Sequence, residues 1–570
     1  MKVDNNFRQY NINSANSAKT ALNKKENQTN FTGISPVEIL KFLDTNQAWG
    51  ANFVDFGFMV LPRTATDFTR GADAGWETGR RESMGTINDS SVGLYGSAAG
   101  LALASGLNKA YDLGSRDMKL SSIFADSETI DMMGKIWHEE LPKSTKDPLL
   151  LRLKKTLGNY QVYDGEKWVQ FKPEDIDKAA RLIHKEVKSY EHLSKETKYD
   201  VIKILTSSHN LENNFRIIAE KGKKVHSSRY SIASIVENTF KLSKIFSKET
   251  VVEAFNDANG DIRNNKFIKS LKKMNRNRSL WGVGIATLVG TSTQPINMYL
   301  TKRKTGKDNF VGGGEKDSSF KFKAEKALVA TLFGLGVIAT IGKPSELIKN
   351  LQFKGFSPTI NQLKFIYGAT IFSRFLAARN ENELKESSVK DILGFTNWLI
   401  LGNFVQKLVA QAFDSSLIKQ EKVGGILDWI RTSSLKTRDE VLHSFLGKDA
   451  FKNGKALGFR EMIKAIQDNP VAKKKLAILT GAQLAGYAYS GLVLGLGIPK
   501  LNIYLTGRRM AKQKAREEAL KKQNQAIQPK VENNKDLENL QNKEEDRMLN
   551  ADNINFLRQF TGTLSQRMSA

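Results

Sequence analysis

The sequence predicts a mainly α-helical protein, built as a polytopic helical membrane bundle with an internal duplication and an inserted soluble helical domain. Three observations lead to this prediction. Long stretches lack charged residues, a short motif occurs twice, and a basic region with helical periodicity separates two of the stretches. The mean hydropathy of -0.40 requires substantial polar regions beside the apolar segments.

Three uncharged stretches are the strongest candidates for membrane-spanning helices. They are residues 90–108, 279–301 and 476–499. Charged side chains are costly in the hydrocarbon core of a bilayer, and about 20 helical residues are needed to cross it. Weaker candidates are residues 45–62, 327–342, 365–372 and 392–413.

Small residues recur four positions apart within these stretches. The pairs are Gly96 with Gly100, Ala482 with Gly486, and Gly491 with Gly495. This spacing places each pair on one helix face, where a second helix can approach closely. We therefore expect close helix–helix contacts, and the same faces could support self-association. A tightly packed core helix of a soluble protein would show the same pattern.

Composition divides the chain into six regions. They are a disordered N-terminus at 1–34, a first membrane-associated region at 35–108, a soluble basic helical insert at 109–278, membrane segments with a linker at 279–354, a second repeat copy at 355–509, and a polar charged tail at 510–570. Residues 1–34 contain no apolar core, so no cleavable signal peptide is predicted. Aromatic and β-branched residues around Asp164 and Gly165 predict a small β-hairpin at 159–172.

A motif at the end of one uncharged stretch recurs at the end of another. Pro295, Asn297, Tyr299, Thr301 and Arg303 match Pro499, Asn502, Tyr504, Thr506 and Arg508. Fainter matches in the same order set Gly57 opposite Gly368, Arg63 opposite Arg374, and Glu82 opposite Glu386. We therefore predict a duplication, with a first half at 45–303 and a second half at 355–508. Duplicated membrane halves are common among transporters, which bind their solutes near the interface between the halves.

The repeated motif predicts how each segment leaves the membrane. Proline cannot donate a backbone hydrogen bond, so each helix should kink at Pro295 or Pro499 and expose carbonyl groups. We expect the amides of Asn297 and Asn502 to bond those carbonyls. The rings of Tyr299 and Tyr504 should lie at the membrane interface, and Arg303 and Arg508 should reach lipid headgroups. A ligand-binding role for these residues is the alternative.

Charged residues are densest between positions 63 and 82. The set comprises Arg63, Asp67, Arg70, Asp73, Glu77, Arg80, Arg81 and Glu82, with Trp76 among them. Asp73, Glu77 and Arg81 are one helical turn apart and predict an intrahelical ladder of ion pairs. One interpretation is a charged site at the mouth of the bundle that holds an anionic headgroup or solute. The other is an interfacial helix with solvated charges and a Trp anchor.

Asp55 lies inside an otherwise uncharged stretch beside Phe53, Phe56 and Phe58. A carboxylate within a membrane is a functional candidate, because an ionised group there is costly unless it serves a purpose. The segment could equally be an interfacial or soluble helix. The residue opposite Asp55 in the second half is Ile366, so the acid is not part of the repeated pattern.

The overall charge points to anionic partners. Lys and Arg exceed Asp and Glu by 27, which favours either nucleic acid or an anionic lipid surface. Basic flanks around long uncharged stretches favour lipid, so nucleic acid is disfavoured as a partner. The chain has no cysteine, which excludes disulfides and thiol chemistry. The six scattered histidines suggest no metal site, and we predict neither a cofactor nor a catalytic constellation.

These observations predict an integral membrane protein that serves transport or membrane scaffolding, located in a membrane such as the bacterial inner membrane. Two rival interpretations remain. One is a secreted effector-like protein that inserts into a target membrane, which the polar N-terminus permits. The other is a soluble basic helical protein that binds nucleic acid and buries its apolar helices in its own core.

Overall fold

The structure is a computed structural model and confirms the mainly helical class, with 82% helix and 3% strand. It describes residues 36–45, 47–114, 120–163, 168–190, 192–206, 215–218, 225–228, 232–256, 265–306, 308, 315–400, 404–420, 425–426, 429–430, 433–452 and 455–527. The N-terminal region predicted to be disordered lies outside these residues.

The helices between residues 36 and 305 lie in the predicted first half and its predicted insert. They are α1 (Pro36–Thr45), α2 (Gln47–Val54), a first π-helical segment (Asp55–Val60), α3 (Leu61–Phe68), α4 (Ala72–Ala110), α5 (Ser127–His138), α6 (Pro148–Gly158), α7 (Pro173–Ser189), α8 (Lys195–Thr206), α9 (Ile232–Phe246), α10 (Glu249–Asn256) and α11 (Lys266–Thr305).

The remaining helices belong to the linker and the second half. They are α12 (Phe320–Ile341), α13 (Leu347–Asn350), α14 (Ile360–Ala377), α15 (Glu381–Phe395), a second π-helical segment (Thr396–Ile400), α16 (Phe404–Phe413), α17 (Arg438–Leu446), α18 (Phe459–Ala465), α19 (Pro470–Tyr489), a third π-helical segment (Ser490–Gly497) and α20 (Ile498–Ile527). Short 3₁₀ turns lie at 120–122, 344–346, 415–417 and 447–450.

Helices α4 and α11 form a long antiparallel pair. The amide of Asn88 donates to the carbonyl of Ala286, and the amide of Asn297 donates to the carbonyl of Glu77. Small residues permit this contact, because a β-carbon added at Gly282 would lie 2.8 Å from the Cα atom of Gly96. The close approach expected at Gly96 is therefore present.

Helix α14 of the second half packs beside α11 and runs parallel to it. The Ser279 hydroxyl accepts a hydrogen bond from the backbone of Phe353, and Ser373 donates to the carbonyl of Thr291 at 2.6 Å. Pro295 cannot bond the Thr291 carbonyl itself, so Ser373 satisfies the group that the proline leaves free. Helix α11 continues through Pro295 as one helix.

The insert lies at the end of the bundle where α4 ends and α11 begins. Its sheet has strand order β2-β1-β3-β4, formed by β1 (Tyr160–Tyr163), β2 (Trp168–Gln170), β3 (Phe215–Ile218) and β4 (Val225–Ser228). Strands β1 and β2 pair antiparallel, as the predicted hairpin requires. Beside the sheet, Glu237 on α9 bonds Lys198 at 2.8 Å and Lys241 at 2.7 Å.

A smaller lobe lies between α16 and α19. It contains α17, α18 and two short antiparallel pairs: β5 (Ile418–Gln420) with β6 (Ser433–Leu435), and β7 (Phe451–Lys452) with β8 (Lys455–Ala456). The lobe contacts the insert, because the Tyr199 hydroxyl donates to the carbonyl of His443 at 3.3 Å.

Two described helices are long and apolar enough to cross a membrane: α12, and the continuous helical stretch from Pro470 to Gln523. Residues 90–108 and 279–301 lie in helices of 39 and 40 residues that do not reach this hydropathy, because both carry many Ser, Thr, Asn and Gln residues. Two such helices do not by themselves establish a polytopic bundle. Helix α20 also continues to Ile527, so the first part of the predicted polar tail is helical.

Candidate functional site

Charged side chains meet between the two halves, at the end of the bundle where α4 begins. We call this the motif end. Two ion pairs there link the halves reciprocally. Arg70 of the first half bonds Glu386 of the second at 2.6 and 3.1 Å, and Arg379 of the second half bonds Glu77 of the first at 2.5 Å. Arg379 also bonds Glu383. Arg70 lies just before α4, which carries Glu77 of the other pair. Arg379 lies just before α15, which carries Glu386.

A second group of charges lies one to two turns further along α4 and α15. Glu82 is at its centre and accepts hydrogen bonds from Arg81 at 3.1 Å and from Lys390 at 3.1 Å. Arg374 contacts Glu82 at 3.4 Å and Asp391 at 3.2 Å. All five side chains are buried. Burying ionic groups is costly, and contacts with opposite charges offset that cost.

Arg63 belongs to the same group but is bonded differently. It is 1% exposed, and its Nε donates to the carbonyl of Leu494 at 3.3 Å. Its nearest carboxylate partner is Glu82, at 3.9 Å from Nη1. Neither Nη1 nor Nη2 has a hydrogen-bond partner among the described residues. We call the set Arg63, Arg81, Glu82, Arg374, Lys390 and Asp391 the central ionic cluster.

The π-helical geometry explains why Leu494 can accept from Arg63. In a π-helix the amide of residue i bonds the carbonyl of residue i−5. Pro499 has no amide hydrogen, so the carbonyl five positions earlier, that of Leu494, lacks its helical donor. Arg63 supplies that donor from the first half, as Ser373 supplies one from the second half to the carbonyl freed by Pro295.

Two carboxyl groups lie deeper than the cluster, toward the middle of the bundle. Asp55 is buried in the first π-helical segment and accepts a hydrogen bond from the Thr86 hydroxyl at 2.5 Å. Asp89 follows Thr86 by almost one turn on α4, and its Oδ2 has no hydrogen-bond partner among the described residues. Asp55 was singled out from the sequence, and the structure shows that it is enclosed and hydrogen-bonded.

The predicted intrahelical ladder on α4 is wrong. Glu77 pairs with Arg379, Arg81 pairs with its neighbour Glu82, and Asp73 pairs with Lys304 on α11. The ladder does not form because Glu77 and Arg81 face the second half and are buried there. Trp76, on the opposite face, is 54% exposed.

The sequence did not identify the second-half members of the site. It set Arg374 opposite Arg63 without predicting a role for it, and it did not single out Arg379, Lys390 or Asp391. A usable signal was present. Glu77, Arg81 and Glu82 recur with identical spacing as Glu386, Lys390 and Asp391. The fainter match proposed from sequence set Glu82 opposite Glu386, which hid this correspondence.

The repeated Asn and Thr residues join neighbouring helices. Asn297 donates to the carbonyl of Glu77 and accepts from Arg80, which also donates to Thr301. Asn502 donates to the carbonyl of Glu386, and Thr506 donates to the Glu386 carboxylate at 3.1 Å. The amides therefore bond an adjacent helix. The sequence predicted that they would bond the carbonyls freed by proline, and this prediction is wrong. Tyr299, Arg303, Tyr504 and Arg508 are exposed.

Among the described residues, no group of three or more His, Asp or Glu side chains has the arrangement of a metal site. Neither a protein-family model nor a curated protein nor a solved structure matches the chain. The inference of function therefore rests on the geometry alone.

Proposed function

We propose that the chain is an integral membrane protein of the transport class, with two related halves that meet at a polar path through the bundle. The observation that carries this proposal is the inverted polarity of the long helices. Over residues 82–101 of α4 and 280–300 of α11, charged or amide side chains are buried between the halves, and several large apolar side chains are exposed. A water-soluble bundle has the opposite arrangement.

Helix α4 displays the inversion most clearly. Ile87, Leu94 and Leu101 are 63%, 59% and 59% exposed, and their spacing of seven residues places them in one stripe. The opposite face carries the buried Glu82 and Asp89. A continuous exposed apolar stripe opposite a buried polar face fits a helix with lipid on one side and protein on the other.

Helix α11 shows the same division over its uncharged stretch. Trp281 and Leu288 are 61% and 69% exposed, whereas Thr293, Gln294 and Asn297 are buried. The 23 residues at 279–301 span about 35 Å as a helix, enough for the hydrocarbon core. Basic residues follow immediately on the motif side at Lys302–Lys304, where anionic lipid headgroups would be available.

Helix α12 adds a further argument, because only 17% of its most apolar stretch is buried. An apolar helix in the core of a soluble protein would be covered on most sides. Exposed leucines at positions 328, 332 and 335 leave the outer face of α12 open. Contact with lipid would remove that apolar surface from water.

Paired contacts support a duplication. Arg374 of the second half lies beside Gly85 of the first, and Arg63 of the first half lies beside Gly394 of the second. The pairs Arg70–Glu386 and Arg379–Glu77 repeat the same exchange. A pseudo-two-fold axis along the bundle would relate all four contacts, with Glu77 equivalent to Glu386 and Glu82 equivalent to Asp391.

The buried polar groups form a column along the interface between the halves. It begins at Glu77, passes Glu82 and reaches Asp89, which lies about 18 Å beyond Glu77 along α4 at the usual helical rise. Buried ionisable groups at membrane depth typically mark solute or ion paths, and sites at repeat interfaces are typical of transporters. This column favours transport over scaffolding.

Cysteine labelling tests the membrane placement, because the chain has no cysteine to give a background. Single cysteines would replace the exposed residues Lys273, Leu288 and Lys304 on α11. A membrane-impermeant maleimide should label Lys273→Cys and Lys304→Cys from opposite sides of the membrane. Leu288→Cys should react only after detergent is added.

Fractionation provides the companion measurement. The full chain should remain in membranes after carbonate extraction, and the membrane that retains it would separate an inner-membrane protein from a secreted one that inserts into a target. Recovery in the soluble fraction without detergent, or labelling of both lysine positions from one side, would reject the proposal. Binding of the soluble protein to nucleic acid would then favour the alternative.

A further inference from the structure

Arg63 has more hydrogen-bonding capacity than its surroundings satisfy. A guanidinium carries five N–H donors, and four of them belong to Nη1 and Nη2. These two nitrogens have no hydrogen-bond partner among the described residues, although the side chain is almost completely buried. Buried N–H donors without acceptors are unfavourable, so an acceptor for these four N–H groups would stabilise the fold.

Arg374, the equivalent arginine in the second half, has the close carboxylate contacts that Arg63 lacks. Arg374 contacts both carboxylates of the central ionic cluster, Glu82 and Asp391. Glu82 is further engaged by Arg81 and Lys390. Arg63 is therefore left without a carboxylate at hydrogen-bonding distance.

The net charge of the central ionic cluster also favours an additional anionic partner. Arg63, Arg81, Arg374 and Lys390 supply four cationic groups, and Glu82 and Asp391 supply the two acids that contact them. Asp55 and Asp89 lie nearby, but among the described residues no hydrogen bond or ion pair joins either of them to this set, and Asp55 accepts from Thr86. The contacting set alone thus has an excess of positive charge.

We propose that Arg63 anchors a binding site for a small monovalent anion, either a halide or the carboxylate of a small organic acid. The anion would accept the free Nη1 and Nη2 donors and offset the positive excess of the cluster. Planar guanidinium donors bind carboxylates well, and a spherical halide can occupy the same fork. This inference rests on the proposed function, since it names a ligand class for the polar path.

Gly394 lets the Arg63 guanidinium pack close against α15. A β-carbon at this position would lie 3.2 Å from Nη2, tighter than an ordinary contact. Gly85 holds the equivalent place beside Arg374, where the corresponding distance is 3.8 Å. Glycine at both places lets each guanidinium approach the helix of the other half closely.

The test is thermal unfolding of the purified full-length protein in detergent, followed by tryptophan fluorescence. Chloride or acetate replaces a bulky sulfonate buffer anion at constant ionic strength. Ligand that binds only the folded state raises the melting temperature. We expect a rise that saturates with chloride or acetate in the parent and is lost in Arg63→Gln.

Two further variants make the result specific. Arg70→Gln breaks an ion pair at the motif end, so its melting temperature should fall while the response to the anion remains. Gly394→Ala retains Arg63 but crowds Nη2, so the response should shift to higher anion concentration. This variant keeps the test decisive if Arg63→Gln fails to fold.

Two results would overturn the proposal. A parent melting temperature independent of chloride and acetate would mean that water satisfies Arg63. An equal response in parent, Arg63→Gln and Gly394→Ala would place the anion effect elsewhere. Cysteine labelling is independent of both results, so failure of the anion site can be distinguished from failure of the membrane placement.

Discussion

Replacing Arg379 with Gln should destabilise the protein more than replacing its partner Glu77 with Gln. Arg379 joins the halves through Glu77 and also bonds Glu383 within its own half, and all three side chains are buried. Arg379→Gln would leave two buried carboxylates without a cation. Glu77→Gln would leave Arg379 still paired with Glu383.

The magnitudes follow from this difference. Removing the cation of a buried ion pair costs about 3–5 kcal/mol, because an uncompensated charge remains. Glu77→Gln should cost about 1–3 kcal/mol, the usual range when a buried hydrogen bond to a charged group is weakened. In the Arg379→Gln background, Glu77→Gln should be stabilising, because it removes one of the two stranded charges.

A double-mutant cycle measures this reversal of sign. Unfolding would be followed by tryptophan fluorescence in one detergent for the parent, both single variants and the double variant. Arg70→Gln is the matched control, since Arg70 and Glu386 form the reciprocal pair but are more exposed, at 12% and 14%. It should cost less than Arg379→Gln. If Glu77→Gln destabilises both backgrounds equally, Glu77 and Arg379 do not interact and the reciprocal link between the halves is refuted.

Three further outcomes are expected. Asn297→Leu should lower the free energy of unfolding by about 1–3 kcal/mol. The loss should exceed that of Asn502→Leu, because Asn297 also accepts a hydrogen bond from Arg80. Equal losses in heat stability would contradict this assignment. Gly282→Ala should destabilise the protein measurably in the same assay, because its β-carbon meets backbone, whereas Gly284→Ala has open space and should have little effect; similar melting temperatures would refute the close packing. Burial acts to raise the pKa of Glu237, but its two lysine partners outweigh this and lower the pKa to about 2. The stabilisation from this carboxylate should therefore be complete above its ordinary pKa of 4.5 and be lost as the pH falls toward 2. Acid unfolding of Glu237→Gln should show less dependence on pH in that window, and an unchanged profile would argue against the ion pairs.

Much of the helical architecture could be predicted from the sequence, because helix formation and apolar runs depend on neighbouring residues. The uncharged stretch at 279–301 lies within one long helix, and the hairpin at 159–172 has the expected antiparallel pair. The repeated Asn and Thr were recognised as a unit, but their partners were assigned wrongly. Those partners lie on other helices, which periodicity along one helix cannot identify.

The charged site shows the same limit. The density of charges between positions 63 and 82 drew attention to Arg63, Glu77 and Arg81, yet the spacing suggested an intrahelical ladder of ion pairs. The actual partners of Glu77 and Arg63 come from the second half, far away in the chain. Whether a charge faces solvent or another helix depends on which faces meet, and the sequence of one helix carries no information on that choice.

The sequence alone determined the helical class, the uncharged stretches and the repeated motif, because each follows from local composition and spacing. The tertiary structure decided which charges are buried and which carbonyls freed by proline receive a donor from the other half. It also gave Arg374 both carboxylates of the central ionic cluster and left Arg63 without one at hydrogen-bonding distance. Two chemically identical side chains differ in this way because the free energy of a buried charge depends on the groups that the fold brings within hydrogen-bonding distance.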